Sequence, residues 1–595
     1  MQFFKTFFAS LLGTILGILL LILIIFAAVV SSSSEPEPYI RSNTVLKISL
    51  SGDIPERTPD DPLQELLNPG AGAKVSVASL KNNLQKAAVD DNIAGIWVTA
   101  NNVLASWANL EAVYDAFGEY KESGKFLYFS TDDIGMNERA YFIASIADSV
   151  FYPPETYFEF DGFVANFSFY REFFDKIGLE PEIFRVGKYK SAVEPFMRNE
   201  SSPESREQTR AILDATTDTF VEAVAKRTGK SVNEIHELLN TPPVDRTSFA
   251  KEHGLIDVLA YEPDVERHIK KRIDLDEDAS LRTIGFGRYA RVSAKRAGLD
   301  EVSTSDKIAV LYNSGAIMPQ IVQSPFSQQT NITYKSVKRQ LDSALEDDDV
   351  KAIVLYIYSP GGAATTSDLL WNYIREAGKK KPVIASMGSV AASGGYYMAA
   401  AADTIVASPN TITGSIGIFN LLFNTQELYN DKLGVRFETM TSHEYSDLFN
   451  LTRPFTPAEE RVIRQNVESG YESFLQVVAD SRGMTRDEVH EVAQGRVWTG
   501  TDALDAGLVD ILGDIDKAIE IAAEMAEIEE YRLDIYPKRK DLFETLFGSA
   551  NAHLHSMLRS WIPGSVEQPF KDASFWLNKP AGMNWAILPI HFEID

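Results

Sequence analysis

Residues Phe7 to Val30 form a run of 24 positions without a charged side chain, and beyond Arg41 the pattern changes to short apolar runs separated by amphipathic stretches. A run of that length spans a bilayer core as a helix and exceeds the apolar region of a secretory signal peptide, which predicts an uncleaved N-terminal transmembrane helix. The small residues Ala27, Ala28 and Ser31 to Ser34 keep cleavage open as the alternative. Lys5 precedes the run while Glu35 and Glu37 follow it, so the N-terminus is expected inside and the bulk of the chain outside. Further on, Ile353-Val-Leu-Tyr-Ile-Tyr358 reads as a buried strand. The alternation of such runs with amphipathic helical stretches is the βαβ pattern of a parallel sheet covered by helices.

The pattern occurs twice. Leu46 to Pro55 resembles Ile308 to Pro319, each a strand ending in a glycine turn. Ala88 to Val98 parallels Leu345 to Leu355, Tyr141 to Asp148 (YFIASIAD) parallels Tyr396 to Asp403 (YYMAAAAD), and Gly254-Leu-Ile-Asp257 parallels Gly507-Leu-Val-Asp510. The near-constant offset marks a two-fold duplication rather than a solenoid. The expected organisation is an anchor and spacer over 1–43, a first repeat over 44–262, a linker over 263–305, a second repeat over 306–535 and an extension over 536–595. The linker carries Lys270, Lys271, Arg272, Arg282, Arg288, Arg291, Lys295 and Arg296 and is expected to be solvated. The extension has scattered aromatics (Phe543, Phe547, Trp561, Phe575, Trp576, Trp585) that could pack on the body, on a neighbouring subunit or near a membrane.

Composition narrows the chemistry. With 595 residues, 45% hydrophobic and 11% aromatic, the chain is a folded multidomain protein. Its net charge of −27 argues against nonspecific nucleic-acid binding. The absence of cysteine removes thiol catalysis, disulfides and thiolate metal sites.

The densest glycine signals lie in the second repeat. The strand ending at Ser359-Pro-Gly-Gly362 breaks at a glycine pair that lets backbone amides face a ligand. About thirty residues later Ala392-Ser393-Gly-Gly395 opens the small-residue helix, giving a serine beside a positive helix end. The amides of Gly361 and Gly394 are the donors expected to hold an acyl-transfer oxyanion. A tight glycine turn between strand and helix accounts for the same local pattern. A nucleophilic serine needs a base. None of the eight histidines stands in a glycine-rich or strand-end setting, and His236, His443 and His490, each followed by glutamate, lack the second histidine of a zinc-protease motif. Lys188 and Lys190, in the segment Phe184 to Phe196, are by local pattern alone surface lysines.

Four motifs in order, Tyr189-Lys190-Ser-Ala-Val-Glu-Pro195, Ser359-Pro-Gly-Gly362, Ala392-Ser393-Gly-Gly395 and Thr413-Gly-Ser415-Ile-Gly417, change that. With the duplication and the apolar N-terminus, the chain resembles over about residues 1–535 the signal peptide peptidase A (protease IV) family, peptidase family S49, in its long form. The resemblance implies an α/β fold of two tandem ClpP/crotonase-like repeats, with Ser393 as nucleophile, Lys190 rather than Lys188 as general base, and Ser415 orienting that lysine. It also implies a homotetramer on the outer face of a bacterial cytoplasmic membrane that degrades cleaved signal peptides and other hydrophobic peptides. No metal or organic cofactor is implied.

The repeats themselves bear on this. Ser393 aligns with Glu138, Ser359-Pro-Gly-Gly362 with Asn101-Asn-Val-Leu104, and Lys190 with Ser446. Each half holds what the other lacks, as one composite site requires. An ordinary lysine, with a pKa near 10.4, is almost wholly protonated at neutral pH. Burial between the halves must therefore depress it, and Glu194 must point away or be compensated. A crotonase-type acyl-CoA enzyme using the same glycine amides, and a catalytically silent scaffold, are the competing functions.

Overall fold

The structure, a computed structural model, describes residues 37–58, 75–132, 134–242, 246–300, 302–319, 331–538 and 585–587, with six isolated positions before residue 18. Two parallel sheets repeat one design. The first comprises β1 (Thr44–Gly52), β2 (Ile93–Val103), β3 (Phe126–Ser130), β4 (Ser149–Tyr152), β6 (Val258–Leu259) and β7 (Thr283–Gly285), in the order β6-β4-β3-β2-β1-β7. The second is built on β8 (Lys307–Ser314), β11 (Val350–Ser359), β13 (Val383–Ala392), β14 (Thr404–Ala407), β18 (Ile511–Leu512) and β19 (Arg532–Tyr536). Its pairings run β18-β14-β13-β11-β8-β19, the same order strand for strand. β15 (Ile412–Gly414) and β17 (Val497–Trp498) extend it from the end of β13. In β11 eight of ten residues are buried, as a strand with helices on both faces requires.

The duplicated polar fittings are as regular as the strands. Tyr141 Oη donates to Leu255 O at 2.7 Å and Tyr396 Oη to Leu508 O at 2.8 Å. Asp148 accepts from Leu127 N and Asp403 from Val383 N, both at 2.8 Å. Lys125 Nζ caps the carbonyls of Ala87 and Asp90, and Lys381 Nζ those of Ala344 and Asp347. Buried backbone groups at equivalent chain reversals are thus satisfied by the same residue types in both halves.

A third sheet joins the halves. It contains β5 (Glu180–Arg185), β9 (Ala316–Ile317), β10 (Asn331–Ile332), β12 (Gly361–Ala363), β16 (Phe419–Asn424) and β20 (Trp585–Ile587), in the order β10-β9-β12-β20-β16-β5. β5 of the first half pairs antiparallel with β16 of the second over six residue pairs, from Arg185 opposite Phe419 to Glu180 opposite Asn424.

One expectation changes. Residues 263–305 are no solvated linker: β7 pairs with β1, and Ile284, Phe286, Tyr289 and Val292 are buried in the first core. The basic residues that suggested solvation are mostly exposed on the outer side of this segment, interleaved with the apolar ones. Of the aromatic-rich extension, Trp585 packs into the body, while the other five aromatics lie outside the described residues. Among the described residues no helix is long and apolar enough to cross a membrane. The apolar run from Phe7 to Val30 lies outside them except for Phe7, Ser10, Gly13, Thr14 and Gly17.

Candidate active site

Ser393 sits where β13 ends and the helix Gly394–Ala399 begins. Its backbone has φ 55° and ψ −113°, a conformation that costs a non-glycine residue about 1–3 kcal/mol and persists only when its surroundings enforce it. They do: Ser393 N donates to Gly414 O at 2.8 Å, and Ser393 O accepts from Tyr397 N at 2.9 Å. The hydroxyl is thereby turned out of the strand toward the first half.

What it meets is Lys190. The lysine Nζ lies 2.8 Å from Ser393 Oγ and 2.9 Å from both the carbonyl and the hydroxyl oxygen of Ser415. All three residues are fully buried. In the neutral amine the two N–H groups serve the Ser415 oxygens, leaving the lone pair to accept from the Ser393 hydroxyl. Burial holds the Lys190 amine well below the ordinary lysine range. Glu194 is turned away, accepting from Ser202 N at 3.0 Å and lying 3.5 Å from Arg185 Nη1, so it is compensated elsewhere. Lys188 is exposed, its ammonium over the Tyr189 ring.

The lysine is delivered by the ladder between the halves. Arg185, the last residue of β5, donates from Nη1 to Lys190 O at 2.9 Å. Gln208 lies on the long helix Pro203–Thr228 and is buried. Its Nε2 donates to Ser191 Oγ at 2.8 Å, while its Oε1 accepts from Val497 N of β17 at 3.1 Å, clasping the lysine segment to the second half. Gly495, at φ +81°, closes the other side: a Cβ there would stand 2.6 Å from both Lys190 N and Lys190 Cβ. Nothing in the local pattern marks Gln208, which sits on a polar helix. Gly495 lies in Gln494-Gly-Arg-Val-Trp498, a glycine beside a short strand that has no distinguishing spacing.

The glycine amides are arranged differently from expectation. Gly361 N donates to Ser359 Oγ at 3.1 Å, so that amide is already engaged. Gly361, at φ +98°, matters through its missing side chain: a Cβ would lie 2.6 Å from Gly394 N and 2.1 Å from the carbonyl oxygen of Ala586. A Cβ on Gly394 would in turn lie 3.1 Å from both Gly362 N and that same oxygen. The pocket beside Ser393 is therefore bounded by Gly361, Gly362 and Gly394.

The equivalent positions of the other repeat hold none of this. Glu138 is buried at the start of the helix Glu138–Ala144, accepts from Asp161 N at 2.9 Å and Gly162 N at 3.2 Å, and is pushed up by burial to about 7. Ser446 is exposed and bonds only to its neighbours Ser442 and His443.

A strained serine in contact with a buried amine, beside a small pocket bounded by glycine backbone, is an arrangement suited to acyl transfer, and sequence comparison specifies the class of protein. The profile of Peptidase family S49 matches residues 119–276 and 375–529, and that of Clp protease matches residues 305–413. The chain is 35% identical over 83% of its length to the chloroplastic serine protease SPPA of Arabidopsis thaliana, 71% of which is covered. It is 31% identical over 84% of its length to Protease 4 of Salmonella typhi, covering 80% of that chain. A putative signal peptide peptidase SppA of Enterococcus faecium is 33% identical over 42% of this chain and 72% of its own. The protein is a serine peptidase. It belongs to peptidase family S49, in the long, duplicated form of signal peptide peptidase A, and the acyl-CoA and scaffold alternatives fall away.

Proposed function

We propose that the protein is a membrane-anchored endopeptidase in which Ser393 and Lys190 form a Ser–Lys dyad, degrading cleaved signal peptides and other hydrophobic peptides. The observation that carries this reading is the 2.8 Å contact between a fully buried lysine amine and the serine hydroxyl, made across the two repeats. Neutral Lys190 takes the Ser393 proton as Oγ attacks a peptide carbonyl, then returns it to the leaving amine. Ser415 fixes the amine through its hydroxyl and carbonyl oxygens, and the amides of Gly362 and Gly394 stabilise the oxyanion in the space that Gly361 leaves empty. No metal or organic cofactor enters this chemistry.

The uncharged run of residues 7–30 supports anchoring in a bacterial cytoplasmic membrane with the two repeats on the outer side. The name of the Enterococcus relative supports the substrate class. The resemblance to the family supports a homotetramer as the assembled form. Hydrolysis of a chromogenic hydrophobic peptide by the detergent-solubilised full chain tests the dyad. Ser393→Ala and Lys190→Met should each abolish turnover while remaining folded, and near wild-type activity in either variant sinks the assignment.

A further inference from the structure

Ser415 is itself strained. Its φ of 50° is one that a non-glycine residue holds only when its surroundings enforce it. The enforcing contacts come from the residues that lead into β17. Ser415 N donates to Arg496 O at 2.6 Å, and Gly495 N donates to Ile416 O at 2.8 Å. β17 then pairs antiparallel with β15, setting Gly414 opposite Val497 and Thr413 opposite Trp498. Gly414 carries the carbonyl that holds Ser393 N, and a Cβ on it would lie 2.7 Å from Trp498 Cδ1. Both strained serines of the site therefore lean on one corner of the second half, formed by residues 495–498.

The same corner reaches the lysine through a side chain. The Arg496 guanidinium lies over two rings, 4.1 Å from the centroid of Trp498 in the second half and 5.1 Å from that of Tyr189 in the first. Tyr189, the residue before Lys190, is buried, and its N donates to Gln494 O at 3.0 Å. Glu207, on the helix Pro203–Thr228, completes the contact. Its Oε2 accepts from Tyr189 Oη at 3.1 Å, and its Oε1 lies 3.2 Å from Arg496 Nη1. Glu204 and Lys188 also face Tyr189. A guanidinium suits this place, because it is planar, weakly hydrated and able to stack on aromatic faces while its fork engages a carboxylate.

We propose that Arg496 is a positioning residue of the Ser393–Lys190 pair, clamping Tyr189 of the first half to the turn of the second half that holds Ser415 and Ser393. The proposal rests on the Ser–Lys reading of the site. Through its side chain Arg496 fixes the segment that delivers the lysine, and through its carbonyl it fixes the residue that orients the amine. Loss of the side chain releases Tyr189, so Lys190 Nζ shifts from the Ser415 oxygens and water gains access to it. A better-solvated amine keeps its proton to higher pH. The variant is then short of neutral lysine at pH 7 and recovers rate as the pH rises.

Steady-state hydrolysis of a chromogenic hydrophobic peptide by the detergent-solubilised full chain, followed from pH 6 to 10, tests this. Arg496→Met should lower kcat at pH 7 by about tenfold with KM within about twofold of wild type. The pH at half-maximal kcat should move up by about one pH unit, the change that a tenfold difference in protonation requires. Arg496→Lys keeps a cation over the rings and should recover at least about threefold of that loss. Tyr189→Leu removes the clamp from the other side, should match Arg496→Met, and decides the test where that variant does not fold. Combining the two should cost no more than about threefold beyond either alone. Arg486→Met, at an exposed ion pair with Glu472, should leave kcat and its pH profile unchanged. A wild-type kcat in Arg496→Met, a loss equal at every pH, or the same shift in Arg486→Met overturns the inference and leaves the dyad standing. Lys190→Met that keeps near wild-type turnover overturns the dyad instead.

Discussion

Replacing Gly361 by alanine places one methyl group in the space where a substrate carbonyl must sit. The ideal Cβ falls 2.1 Å from the Ala586 oxygen, 2.6 Å from Gly394 N and 3.0 Å from Ala392 O. Ordinary contact begins near 3.4 Å, so a carbonyl in that place must retreat by about 1 Å, a misplacement on the scale that costs about 10²-fold in rate. Withdrawal from the Gly362 and Gly394 amides also forfeits oxyanion stabilisation, worth about 10²–10³ in kcat for one donor. Holding alanine at φ +98° adds strain of about 1–3 kcal/mol, which falls on stability. Gly361→Ala should therefore lose at least about 10²-fold in kcat while staying folded. The assay is steady-state hydrolysis of a chromogenic peptide, with thermal unfolding followed by circular dichroism on the same samples. Gly118→Ala is the control, because its Cβ meets nothing within 4 Å in the helix Trp107–Lys121, and it should leave turnover unchanged. Gly361→Ala with kcat within about threefold of wild type would refute the placement of the oxyanion pocket.

Two further outcomes follow from the lysine's surroundings. An unfolded lysine keeps its proton up to about pH 10.4, whereas the folded, buried Lys190 gives it up well below that. Unfolding then takes up a proton across the intervening window, so this side chain's contribution to stability rises with pH there. Lys190→Met should accordingly raise Tm most at neutral and lower pH, with the gain shrinking as pH approaches 10; a gain independent of pH between 7 and 10 contradicts a depressed amine. Ser415→Ala removes one of three oxygens around Nζ but keeps the backbone carbonyl at 2.9 Å. At about 0.5–1.5 kcal/mol for one hydrogen bond, kcat should fall by about 2- to 12-fold with KM unchanged. Loss as complete as that of Lys190→Met would make Ser415 more than an orienting residue.

Much of the architecture was legible in the sequence because it is local and repeated. The paired tyrosines, aspartates and glycines at Tyr141 and Tyr396, Asp148 and Asp403, and Gly254 and Gly507 announce two copies of one unit, and the shared strand order agrees. Ser393 and Lys190 are marked by the family motifs around them, and their counterparts Glu138 and Ser446 agree that each repeat keeps only its own part. Contacts that depend on remote pairing were hidden. β5 and β16 are six-residue strands of mixed polarity whose partners lie more than two hundred positions away. The segment 263–305 looked solvated because its basic residues outnumber the few apolar ones that reach the core. Gly361 and Gly362 are equivalent by pattern, and only the Ser359 hydroxyl, which engages the first, separates their roles. Gln208 works through an amide that bridges two halves, and no spacing reveals that.

The central claim is that a neutral lysine from one repeat activates a serine from the other. It is tested most directly by the rate at which a serine-directed acylating reagent labels Ser393 in the full chain, measured against pH in wild type and in Lys190→Met. A Ser–Lys dyad predicts labelling at Ser393 alone that rises with pH through a single ionisation below the ordinary lysine range and disappears in the variant. Labelling of Lys190→Met at the wild-type rate, or a rate in wild type that falls as pH rises from 6 to 9, would contradict it.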